Sequence, residues 1–182
     1  MIDIQEQVVI GAVLGGSSLV KQPKGLNYCL MMRSEDPLWL QYKIAELHNF
    51  FSSSELCKQN STYRCSSICS KEFTALYQKL YCGKKRHVTI DVLENFRDIG
   101  LAIWFLESGG FTGRNRKNAY INTTLIGDTS NLVCDYFNSM DIKCKIHVTK
   151  ERQKILFSVQ GTNKLLKIIA SKFPDFIYNR LK

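Results

Sequence analysis

The sequence predicts an α+β protein made of two pseudo-symmetric αββαββα halves, and three observations carry that prediction. First, an apolar helix running into a small-residue turn occurs twice, at Val9–Leu19 (VIGAVLGGSSL) and at Leu101–Phe111 (LAIWFLESGGF). Second, aligning Gly16 with Ser108 gives an offset of 108 − 16 = 92, and the same offset carries Tyr28 (NYCLMM) onto Tyr120 (NAYINTT). Two motifs that repeat at about half the chain length point to an internal duplication. Third, the hairpin after each motif helix is basic, with Lys21 and Lys24 in one half and Arg114, Arg116 and Lys117 in the other. The expected halves are residues 1–92 and 93–182.

The elements follow in order. Glu6–Leu14 reads as a helix in which Gly11 and Gly15, four apart, share one face and let another backbone approach closely. That partner is expected to be the second motif helix, near Leu101–Leu106. Ser18–Val20 and Leu26–Met32 form a hairpin around a Pro- and Gly-containing turn at residues 21–25. Ser34–Pro37 is a helix start with proline in the first turn, and Leu40, Ile44, Leu47 and Phe51 recur at helical spacing behind it. Glu55–Lys58 and Thr62–Ile68 alternate apolar with polar residues as a second hairpin, and Lys71–Tyr81 is an amphipathic helix. The charge run at residues 83–87 (GKKRH) reads as a solvated linker. Beyond it Val88–Arg97 leads into the second motif helix, and the first half's order repeats. Strand Phe111–Thr112, the cationic turn at 113–118 and strand Ala119–Thr124 come first, and helix Thr129–Met140 follows. Strands Lys143–Thr149 and Gln153–Gln160, and a last helix from Gly161, complete the repeat.

Composition narrows the function class. At 182 residues with 45% apolar and 23% charged residues, the chain has enough material for a core without disulfides or metals. Its longest apolar run, Val8–Leu14, is far below the roughly 20 residues that span a bilayer, so no membrane partner is expected. The N-terminal MIDIQEQ lacks the basic region of a secretory signal, which leads to an intracellular expectation, an organelle included. The seven cysteines are scattered, and no pair has the C-x2-C spacing of a zinc site. They read as buried reduced thiols in preference to a metal centre.

Lys plus Arg exceed Asp plus Glu by 25 − 16 = 9, an excess that draws a protein to polyanions through counterion release. If the motif helices pack on a pseudo-twofold axis, the two antiparallel sheets lie side by side as one saddle whose cations face nucleic acid. The candidate nucleic-acid-binding residues are Lys21, Lys24, Arg33, Arg64, Arg114, Arg116, Lys117, Lys145, Arg152 and Lys154. Duplex DNA is the favoured partner and structured RNA the alternative, because phosphate contacts from Lys and Arg serve both. The chain is expected to act as a monomer with its internal twofold.

These residues resemble the LAGLIDADG homing endonucleases, in the branch whose second motif reads like LAIWFMDDG. LAIWFLESG at 101–109 is close to that wording, and VIGAVLGGSSL is similar to the branch's first motif, IGxLLGDGSL. The resemblance implies that the motif helices form the interface between halves and that the acid near each helix end binds the divalent metals of DNA cleavage. Here the chain departs from the pattern. The first acid falls at Gly16, followed by Ser17 where Gly is usual, and the second falls at Ser108. Glu107, the one acid in either motif, lies one position early, about 100° around the helix. Mg2+ needs hard anionic oxygen ligands, so no metal ligand and no catalytic residue is assigned, and no cofactor is expected. The leading expectation is a nucleic-acid-binding, catalytically degenerate relative. The alternatives are an active Mg-dependent endonuclease using Glu107 and further acids, and an RNA-binding splicing cofactor or ribonucleoprotein component.

Overall fold

The computed structural model describes residues 1–113 and 117–173. Two apolar helices, α1 (Asp3–Gly15) and α5 (Asp98–Ser108), lie against each other at its centre. Both are buried nearly all round, from Val8 to Leu14 and from Gly100 to Phe105, as helices that are apolar on every face must be. The seam is set by small residues. A Cβ on Gly11 would stand 2.3 Å from the Gly100 carbonyl oxygen and 3.0 Å from Ile103 Cβ, and one on Gly15 would stand 2.2 Å from Glu107 Cβ. The expected approach of Gly11 and Gly15 to the second motif helix is therefore present, centred on Gly100, Ile103 and Glu107. Gln7, 3% exposed, fixes the angle of entry: its amide donates to the Asn95 carbonyl and accepts from the Arg97 backbone N–H.

Each motif helix feeds a four-stranded antiparallel sheet. In the first half β1 (Ser18–Lys21), β2 (Tyr28–Ser34), β3 (Cys57–Gln59) and β4 (Thr62–Ser66) are ordered β1-β2-β4-β3. In the second, β7 (Gly109–Thr112), β8 (Asn118–Asn122), β9 (Cys144–Val148) and β10 (Gln153–Phe157) are ordered β7-β8-β10-β9. The two orders are the same, which is the pseudo-symmetry expected of the duplication. Helices α2 (Pro37–Glu46) and α3 (Lys71–Leu80) cover the first sheet, and α6 (Ser130–Ser139) and α7 (Val159–Ile169) cover the second. Their starts follow capping chemistry: Asp36 accepts from Leu38 N–H, Ser70 from Phe73 N–H and Ser158 from Gly161 N–H.

Some expectations give way. The helix traced by Leu40, Ile44, Leu47 and Phe51 ends at Glu46 and tightens into a 3-10 turn, His48–Phe50. The last helix starts at Val159 instead of Gly161, because Ser158 caps it. The run at 83–87 is exposed at Gly83, Lys84 and Lys85, but it is folded and not an irregular connection. It belongs to a small hairpin, β5 (Tyr81–Cys82) with β6 (Lys85–Arg86), that turns at Gly83 with φ +63°. A short helix, α4 (Ile90–Glu94), then leads to α5. Cys57, Cys69 and Cys82 are exposed, whereas all seven thiols were expected to be buried; they lie on an edge strand, before a helix and at a hairpin tip. No helix among the described residues is long and apolar enough to cross a membrane.

Candidate nucleic-acid interface

The open faces of the two sheets follow from register. In β2, Leu30 and Met32 point into the core, so Met31 and Arg33 point out. Arg33 stands directly opposite Arg64 of β4, which in turn stands opposite Cys57 of β3, and all three are exposed. In the second sheet Ala119, Ile121 and Ile155 are fully buried, which leaves Tyr120, Asn122, Lys154 and Leu156 on the other face. Lys145 pairs with Leu156 and His147 with Lys154, so both share that face. Lys154 Nζ lies 4.9 Å from the centre of the Tyr120 ring, a cation–π contact that holds the ammonium over the sheet.

The candidates named from the sequence divide accordingly. Arg33, Arg64, Lys145 and Lys154 come together on the open faces. Lys21, paired with Tyr28, shares the face of Leu19 and Leu30, and Lys24 is exposed in the hairpin turn. Lys117 is exposed just before β8, and Arg152 is exposed in the β9–β10 turn. Arg114 and Arg116 lie outside the described residues.

At the ends of the motif helices, beside the first sheet, is a cavity of about 360 Å3 walled by Gly15, Gly16, Arg33, Glu35, Arg64 and Glu107. Gly16 ends α1 with φ +146°, ψ −14°, and offers no side chain. Ser108 turns its hydroxyl back along α5 and donates to the Trp104 carbonyl at 3.2 Å. Glu107 is occupied: its carboxylate accepts from Lys43 Nζ and, at 3.1 Å, from Trp39 Nε1. Lys43 is fully buried and Glu107 is 10% exposed, so each neutralises the other away from water. Behind the Gly16 turn, Arg86 Nη2 donates to the carbonyls of Ser17 at 2.7 Å and Gly16 at 3.4 Å, putting a cation on the C-terminal end of α1.

Two of these residues were missed in the sequence. Lys43 does carry a signal, since it falls in the Trp39, Leu40, Lys43, Ile44 face of an amphipathic helix, where an unpaired charge could not stay. Arg86 carries none, because its partners are about 70 residues away and are backbone carbonyls.

This arrangement of paired motif helices under twin four-stranded sheets has relatives. The sequence model of the LAGLIDADG DNA endonuclease family matches residues 6–165. The chain belongs to that family. Among solved structures, the homing endonuclease I-WcaI bound to its DNA recognition sequence superposes with a TM-score of 0.88 at 17% identity, over 100% of this chain and 87% of that one. I-DmoI in complex with DNA and Mn gives 0.65 at 15% identity, over 94% and 99%. Full-length DUF199/WhiA from Thermatoga maritima gives 0.64 at 13% identity, over 98% of this chain and 59% of its own. At such identities the likeness establishes the LAGLIDADG fold. No curated protein matches the sequence.

The family implies a divalent metal at the motif ends, and the donors here do not suit one. Gly16 has no side chain, Ser108 offers a neutral hydroxyl already engaged, and Glu107 is bound to a lysine. Among the described residues no group of three His, Cys, Asp or Glu side chains is placed to hold a metal ion. Mg2+ is held by anionic oxygens in near-octahedral geometry, and two guanidinium groups lining the same cavity oppose it.

Proposed function

We propose that this LAGLIDADG protein binds nucleic acid across its two open sheet faces and has lost, or retains only weakly, the family's cleavage chemistry. The observation that carries the reading is the state of the three motif-end positions: glycine at 16, an engaged serine at 108, and a Glu107 carboxylate consumed by Lys43 and Trp39. The binding surface is Arg33 and Arg64 in one half and Lys145 and Lys154 in the other. Lys117 and Arg152 extend it at the second sheet and Lys24 extends it at the first, whereas register turns Lys21 to the opposite face; Arg114 and Arg116 are added from the sequence alone. The halves, residues 1–92 and 93–182, contribute one sheet each, and the protein acts as a monomer. Duplex DNA is the favoured partner, supported by the likeness over the full chain to an endonuclease bound to its DNA recognition sequence.

The test is binding of mixed-sequence duplex DNA and of a structured RNA at two salt concentrations. Tight binding with a steep salt slope is expected. K145Q/K154Q should flatten the slope of log affinity against log salt by about 2, at roughly 0.9 per lost phosphate contact. An unaltered chain that ignores both probes would reject the reading, and one that prefers RNA would reassign the partner.

A further inference from the structure

We propose that Arg33 and Arg64 together grip a backbone phosphate directly at the motif-end cavity, so that nucleic acid is held there by arginine and not through a divalent metal. The proposal rests on the nucleic-acid-binding reading and deepens it. Arg33 and Arg64 are Cα partners across β2 and β4, side by side on the open face. Like charges directly opposite in an antiparallel pair repel, so an apo protein gains nothing from this placement. Neither guanidinium group is in an ion pair or a side-chain hydrogen bond among the described residues, although acidic side chains line the same cavity. Glu107, which could have paired with one of them, is instead turned to Lys43 and Trp39.

Charge bookkeeping then decides what the cavity accepts. Its lining carries two guanidinium groups and one carboxylate, Glu35, that has no ion-pair partner among the described residues, while Glu107 and Lys43 cancel. That set repels a divalent cation and attracts an oxyanion. Two guanidinium groups on adjacent strands can each offer paired N–H donors to the non-bridging oxygens of one phosphate, the recognition at which arginine exceeds lysine. The opening beside them is floored by Gly15 and Gly16, so no side chain from the end of α1 blocks a sugar–phosphate backbone.

The experiment compares the full chain with R33Q/R64Q and with K145Q/K154Q, using mixed-sequence duplex DNA in EDTA and in Mg2+ at matched ionic strength. The unaltered protein should bind as tightly in EDTA as in Mg2+, and R33Q/R64Q should lose tenfold or more in affinity and about 2 in salt slope. Without nucleic acid, R33Q should melt about 1–2 °C higher, because the substitution removes a like-charge pair. A residue needed only for the fold would instead lower both melting temperature and affinity. Binding that requires Mg2+ would overturn the proposal. So would wild-type affinity in R33Q/R64Q alongside weakened binding in K145Q/K154Q, which leaves the general reading standing. Absence of binding by every form, the unaltered chain included, would remove both.

Discussion

Gly11→Ala is the smallest change that tests the seam on which both halves depend. The new methyl would lie 2.3 Å from the Gly100 carbonyl oxygen, about 1 Å inside ordinary van der Waals contact, and 3.0 Å from Ile103 Cβ. Backbone cannot rotate away as a side-chain tip can, so α1 and α5 must separate. Every apolar residue along the seam then loses part of its contact with the other helix. Overpacking of this kind costs about 1–3 kcal/mol, and the contact with backbone argues for the upper end. Alanine returns about 1 kcal/mol of helix propensity over glycine, leaving a net loss of about 2 kcal/mol. The assay is urea denaturation followed by far-UV circular dichroism and tryptophan fluorescence, because Trp104 is fully buried in α5. A variant as stable as the parent, or more stable, would refute the close packing of the motif helices.

Two further outcomes follow from buried groups. Lys43→Met strands the Glu107 carboxylate and should cost about 3–5 kcal/mol, with much of it recovered in K43M/E107Q. A loss below about 1 kcal/mol in urea titration would mean the pair behaves as an exposed one. Burial pushes the Cys65 thiol up to about 11, partly offset by Lys43, so the folded state holds this proton more tightly than the unfolded chain. Its contribution to stability is intact below the ordinary thiol value of 9.0 and declines as pH rises toward about 11, a decline that should be shallower in C65A. Equal pH dependence in the two proteins would discount that burial.

The order of elements was legible because it depends on local signals: apolar helices that read the same at an offset of 92, alternating strands, and capping residues at helix starts. Which cations meet was not, because register between β2 and β4 joins strands separated by a helix, and a slip of one residue would send Arg64 to the other face. The basic hairpins illustrate the difference. Lys21 follows the motif helix as directly as the cations of the second hairpin do, yet register gives it the face of Leu19. The departure of the motif ends from the family wording was readable at Gly16 and Ser108, whereas the engagement of Glu107 needed the tertiary partner Lys43.

Restoring the family's residues tests whether cleavage was lost at the motif ends, and the backbone says how many changes are needed. Ser108 closes α5 and is followed by Gly109 in an extended conformation, so Ser108→Asp asks for no unusual dihedral. Gly16 is different. Its φ of +146° is a conformation L residues rarely adopt, and an aspartate held there would carry strain of about 1–3 kcal/mol. Ser17→Gly relieves this by moving the permissive residue one position on, so that the helix can end just after the introduced aspartate, and it also removes a buried Ser17 hydroxyl that has no partner among the described residues. Gly16→Asp alone should therefore be destabilised and inert. G16D/S17G/S108D should fold with nearly the parent's stability and cut members of a duplex DNA library in Mg2+, while the unaltered chain does not. Specific double-strand breaks by the unaltered chain would refute the loss of cleavage. A triple variant that folds and binds DNA yet never cuts would place the lost function elsewhere than at these three positions.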